Sequence, residues 1–190
     1  MRTKRRTSAG RLAPISRRGF PTGHLDCRRL AFETLEDRRL LASNLAPVNS
    51  VPGSQETVLE TPLAFTEYRG NLISISDPDA GNLEVEMQLA AANGLVTLVN
   101  RNLVASGLTY LTGDGLDDAV VKVQGTINDI NTALSWTAFI PNPGYTGENG
   151  QITITTDDLG NVGEGGPQQD VDTIDINVKT PEDLFDPPPT

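Results

Sequence analysis

Leu83-Glu-Val-Glu-Met-Gln-Leu89 alternates strictly, with Leu83, Val85, Met87 and Leu89 on one side and Glu84, Glu86 and Gln88 on the other. A period of two places one row of side chains in a core and the other in water, which is a β-strand and not a helix. Working outward, Ile152 and Ile154 alternate with Thr153 and Thr155, and Ile174, Ile176 and Val178 with Asp175, Asn177 and Lys179. Weaker runs at 62–66, 71–76, 95–99, 108–111, 119–124 and 135–140 read as further strands. Turn formers divide them: Asp79-Ala-Gly81, Asn93-Gly94, Gly113-Asp-Gly115, Pro141-Asn-Pro143-Gly144 and Asn149-Gly150. Many short strands at this spacing predict an all-β sandwich or barrel.

One segment breaks the rhythm. Ile127, Ile130 and Leu134 fall at helical spacing, with Thr126 or Asn128 available as a cap, and predict a short crossing helix over about 127–134. Trp136, the single tryptophan, is expected to pack in the core beside this crossing.

Charge is divided unevenly along the 190 residues. Residues 1–42 hold 11 Lys/Arg against 4 Asp/Glu, a net of +7, whereas residues 43–190 hold 4 against 21, a net of −17. The organisation predicted is a basic disordered leader (1–42), a Pro/Asn/Ser linker (43–55), a β-sandwich (56–179) and a Pro-rich extended tail (180–190). The acidic body has too few cations to neutralise phosphates, which argues against nucleic acid as a partner. No run approaches the roughly 18 apolar residues of a membrane span, and the leader lacks the apolar stretch of a secretory signal.

Cys27 and His24, the only cysteine and histidine, both lie in the leader. The body therefore has no disulfide, no Cys-based zinc site and no Ser–His or Cys–His catalytic pair, and an enzyme is not expected. Asp77-Pro-Asp79-Ala-Gly81 is not an EF-hand loop, because its Gly comes one place early and Gln88 stands where the bidentate Glu belongs.

Chemistry gathers instead where strands end, at Asp77 and Asp79, at Asp157 and Asp158, and at Asp170 and Asp172. Carboxylates collected at one end of a sandwich suit a hard cation such as Ca²⁺. In a sandwich of this kind those six residues and Asn44 all approach the same pole. The same residues also read as loop formers and as charges guarding strand ends.

Residues 44–178 resemble the cadherin-like repeat of bacterial surface proteins and adhesins. The matching stretches include Asn44-Leu-Ala-Pro-Val48, Glu60-Thr-Pro-Leu-Ala-Phe65, Ile73-Ser-Ile-Ser-Asp-Pro-Asp-Ala-Gly81, Gly107-Leu-Thr-Tyr-Leu-Thr-Gly-Asp-Gly115, Gly125 to Leu134, and Asp172-Thr-Ile-Asp-Ile-Asn-Val178. Phe32-Glu-Thr-Leu-Glu-Asp-Arg-Arg-Leu-Leu-Ala42 is similar to the LEPR-XLL motif of planctomycete surface proteins. The resemblance implies a cadherin-like/Ig-like Greek-key β-sandwich at the cell surface or outside the cell, with a structural or adhesive role. It implies Ca²⁺ held by Asn44, Asp77, Asp79 and Asp157, and a Glu60 facing a following module. Its implied partner is another surface protein or a module of the same type. Two alternatives stay open: a carbohydrate-binding sandwich, and a ligand-free spacer from a multi-module surface protein.

Overall fold

The computed structural model describes residues 43–98 and 107–184. The leader, with Cys27, His24 and the 32–42 motif, lies outside the described residues, as do Val99 at the end of one expected strand and the tail beyond Leu184. In chain order the strands are β1 (Val48–Ser50), β2 (Gln55–Val58), β3 (Leu63–Ala64), β4 (Ser74–Ser76), β5 (Glu84–Ala92), β6 (Gly94–Thr97), β7 (Thr109–Thr112) and β8 (Val120–Thr126). Helix α1 (Ile127–Leu134) follows, then β9 (Ala138–Pro141), β10 (Gly147–Asp157) and β11 (Gln169–Lys179).

The alternating runs build a six-stranded sheet in the order β2-β11-β10-β5-β8-β7. Opposite it stand a three-stranded sheet, β3-β9-β6, and the pair β1-β4. Val85, Met87, Leu89, Val121, Val123, Ile152, Ile154, Ile174 and Ile176 point inward from the large sheet and are fully buried. They meet Phe65, Ile73, Val96, Leu98 and Phe139 from the other side, in one core. Each such side chain contributes about 1.5–3 kcal/mol by leaving water. The chain passes repeatedly from one sheet to the other, and the result is the Greek-key sandwich with one short helix.

Thr126 caps the helix, its hydroxyl accepting the Asp129 N–H at 3.2 Å. The inward face of α1 carries Ile130, Ala133 and Leu134, all buried. Asn131 adds a polar anchor: its Oδ1 accepts the Ile75 N–H at 2.8 Å and its Nδ2 donates to the Ile75 carbonyl at 2.9 Å. The helix therefore bridges β8 and β9 while completing the exposed side of β4.

Four expectations change. The 43–55 linker contains β1 and the first residue of β2; β1 pairs antiparallel with β4, and β2 pairs parallel with β11. Pro52-Gly53 interrupts what is otherwise one strand and lets it switch sheets, while a three-residue strand is too short to show periodicity. Leu83 is 42% exposed, because its N–H closes a turn onto the Ala80 carbonyl before β5 begins. Trp136 is 51% exposed and not in the core. Its N–H donates to the Ala133 carbonyl at the end of the helix, so the inward places of the following strand fall to Thr137 and Phe139. Within the tail, Glu182–Leu184 forms a 3-10 turn, closed by Asp183 on the Thr180 N–H and hydroxyl.

Asn93 and Gly94 show how closely the chain packs where it turns from β5 into β6. Asn93 turns the chain with φ 58°, and its Nδ2 donates to the Asn149 carbonyl at 2.7 Å. A Cβ on Gly94 would run into the Phe139 ring, so only glycine lets β6 lie against that side chain.

Candidate functional site

The register defines two poles. Glu84, Thr126, Asp157 and Gln169 lie at the first, and Ala92, Val120, Gly147 and Lys179 at the second. The chain comes in at the first pole, where Asn44 N–H donates to the Glu164 carbonyl, and runs out at the second after Lys179.

At the first pole the incoming segment is fastened by carboxylates. Asn44 Nδ2 donates to Asp158 Oδ2 at 2.6 Å and to the Gly166 carbonyl at 2.8 Å. The Leu45 N–H donates to Asp79 Oδ2 at 3.0 Å, and the Asn49 N–H to Asp170 Oδ2 at 2.7 Å. Asp158, only 3% exposed, also accepts the N–H groups of Gly160 and Gln168 on Oδ1, both at 2.8 Å. A buried carboxylate with this many donors is held by hydrogen bonds and needs no counter-ion.

Asp77 and Asp79 differ. Asp77 Oδ1 accepts the N–H groups of Asp79 and Ala80, at 3.0 and 3.1 Å, and closes the turn after β4. Its other oxygen, Oδ2, and Asp79 Oδ1 are buried without a hydrogen-bond partner. Burial above all, with the Asp79 carboxylate beside it, raises the Asp77 pKa above its ordinary 3.8, against the lowering effect of the two N–H bonds. Two orphaned acceptors side by side are a place for a proton or a cation.

The remaining expected residues do not join them. Asp157 stands on the outer face of the large sheet, across from Glu86, and its oxygens accept the Leu159 N–H and Gln169 Nε2, both at 2.7 Å. Asp158, its neighbour, is the residue that meets Asn44. Asp172 lies in register with Ile154, one inward step beyond Asp170. Glu60 sits at the second pole in an exposed turn with φ 59°, beside the Leu59 N–H bond to the Lys179 carbonyl. Among the described residues no three His, Cys, Asp or Glu side chains converge closely enough to hold one ion. Of the expected residues only Asp77 and Asp79 keep unpartnered oxygens, which would fit part of the six to eight oxygens that Ca²⁺ takes.

Sequence reading missed Asn49. It is 8% exposed, its Oδ1 accepts the Thr156 hydroxyl at 2.6 Å, and it ties β1 to β10. The only signal is its place between Val48 and Val51 in a segment dominated by turn formers. The acidic turn at Asp114, Asp117 and Asp118 was also not singled out. Asp118 Oδ2 accepts the N–H groups of Asp114 and Gly115, Asp114 Oδ1 that of Leu116, and Asp117 Oδ1 the Thr97 hydroxyl.

An open cleft of about 450 Å³ lies along β2, β10 and β11, lined by Ser54, Gln55, Glu56, Glu148, Asp175 and Asn177. It has no aromatic wall, and Glu56 is paired with Lys179 at 2.7 Å. The described cations are Arg69, Lys122 and Lys179, and the two lysines are engaged by Glu86 and Glu56. They form no phosphate-binding patch. No helix among the described residues is long and apolar enough to cross a membrane.

Fold and pole together define an all-β sandwich module whose incoming end is closed by acidic side chains. No protein-family model and no curated protein matches the chain. Among solved structures it is similar to a cohesin module from the Clostridium perfringens ATCC13124 family 33 glycoside hydrolase, with a TM-score of 0.39 and 10% identity over 73% of this chain and 99% of that one.

Proposed function

We propose that residues 44–178 form a cadherin-like module of a bacterial surface protein, non-catalytic, placed at the cell surface or outside the cell. Its role is structural or adhesive, toward another surface protein or a module of its own type. Ca²⁺ binds at the first pole through Asp77 and Asp79, and the remaining oxygens come from water, backbone carbonyls or an adjoining segment. The observation that carries this reading is the pair of buried, unpartnered oxygens, Asp77 Oδ2 and Asp79 Oδ1, at the end where the chain enters. With few donors of its own, the site is a weak one.

Occupation would relieve the repulsion between the two carboxylates and stabilise the fold by mass action. Thermal melts of the chain in Ca²⁺ and in chelator test this. The wild type should melt higher in Ca²⁺, and Asp77→Asn/Asp79→Asn should melt at one temperature in both. A wild type indifferent to Ca²⁺ refutes the metal.

A further inference from the structure

The geometry points to a second property: we propose that this sandwich bears tension applied between its incoming and outgoing chain, and that the β2–β11 pairing is the clamp. The inference rests on the reading of the chain as a structural surface module, but not on bound calcium.

The incoming chain is fixed at the first pole and the outgoing chain leaves from the second, so a pull on the two acts along the strands. β2 and β11 are neighbours and parallel, in the register Gln55↔Ile176, Glu56↔Asn177, Thr57↔Val178 and Val58↔Lys179. Tension drags β2 toward the first pole and β11 toward the second, so the two would have to slide past one another. Hydrogen bonds between strands lie across the strand direction. Sliding therefore loads them together, in shear, whereas a hairpin pulled at its open end loses them one at a time.

Two further ties cross the same seam. The Leu59 N–H donates to the Lys179 carbonyl at 2.8 Å, and Lys179 Nζ meets Glu56 Oε2 at 2.7 Å. On its other side β11 is bonded to β10 from Gln169 to Val178. Tension from the incoming chain reaches β2 only after passing the bonds of Asn44, Leu45 and Asn49 to carboxylates, and then the β1–β4 pairing, Val48↔Ser76 to Ser50↔Ser74. β1 would likewise slide along β4. Both strand pairings on the path are met in shear. This arrangement governs the rate of unfolding under force, a quantity separate from equilibrium stability.

Single-molecule force spectroscopy on the full chain, in chelator and in Ca²⁺, tests the proposal. One tether pulls from the two chain termini. The control, in a Cys27→Ser background, pulls from Asp114→Cys and the C-terminus, so that force enters through the turn before β8 and the end of β11, both at the second pole, and acts across the sheet. The terminal tether should require several-fold more force than the control, in chelator as well as in Ca²⁺. Equal or lower force overturns the proposal. Lys179→Ala, with Leu59→Pro as a stronger variant that deletes the Lys179-directed N–H, should lower the terminal force by a larger fraction than the control force, in which the same ties are peeled one at a time. An equal fractional drop in both geometries, or none in the terminal one, overturns the clamp. A chain whose melting ignores Ca²⁺ but whose two forces differ would defeat the metal reading alone.

Discussion

At the second pole, Asp114 and Asp118 close a turn and Asp117 ties it to β6: Asp118 takes two backbone N–H groups, Asp114 takes one, and Asp117 takes the Thr97 hydroxyl. At the first pole, Asp158 and Asp170 are engaged in the same way by Asn44, Gly160, Gln168 and Asn49, yet Asp77 and Asp79 each keep one buried oxygen unsatisfied. Both poles are acidic, and acidity alone does not explain how they differ. What distinguishes them is whether the oxygens are used by the chain's own donors. A cation competes poorly for an oxygen that already closes a turn, and well for one that is desolvated and alone.

Substitutions can break or sharpen that contrast. The largest effect belongs to the core both poles share. Phe139→Ala empties a fully buried site beneath Gly94 and should cost about 3–5 kcal/mol in denaturant unfolding. Asp158→Ala comes next, because it strands the donors of Asn44, Gly160 and Gln168, and should cost about 2–3 kcal/mol. Its counterpart at the second pole, Asp118→Ala, frees the Asp114 N–H to water and leaves only the Gly115 N–H buried and unpaired, and about 1 kcal/mol is expected. Equal losses at Asp158 and Asp118 would remove the distinction between a closure and a simple turn.

The smallest effect carries the opposite sign. In chelator, Asp77→Asn keeps the acceptor for the Asp79 and Ala80 N–H groups and removes one of two facing charges, so it should stabilise by about 0.5 kcal/mol. Acidity gives a related signature. Asp77 is raised above 3.8 in the folded chain, chiefly by burial, so the folded state holds that proton more tightly than the unfolded state does. Its contribution is fully present below the unfolded value and is lost as pH rises through the folded one. Asp183, held low by the Thr180 hydroxyl and N–H, slopes the other way. The difference between wild type and Asp77→Asn therefore isolates the pair. In chelator the advantage of Asp77→Asn should shrink as the medium is acidified toward pH 4, measured by melting temperature.

The fold was legible wherever periodicity ran long enough. β5, β10 and β11 carry it over several pairs of residues, and α1 is bounded by a capping threonine and three apolar residues at helical spacing. β1 and β2 were hidden because Pro52-Gly53 cuts them into pieces too short to alternate, and their partners lie far away in sequence. Trp136 was misplaced because the helix end shifts the phase of β9 by one residue, a matter of backbone bonding at Ala133 that residue type does not reveal. At the pole, strand ends located the acids, but strand parity decided their direction. Thr156 points inward, so Asp157, which the resemblance implied as a ligand beside Asn44, points outward, and its buried neighbour Asp158 is the residue that meets Asn44. Glu60 belongs to the other end altogether.

The contrast between the poles is tested most directly by titrating Ca²⁺ into the full chain and following backbone amide resonances residue by residue. Shifts should saturate together at Leu45, Asp79 and Ala80, whose N–H groups donate to the Asp77 and Asp79 carboxylates, with the amides of Asp114, Gly115 and Leu116 unmoved. Shifts centred on the 114–116 amides, or none at either pole, would contradict it.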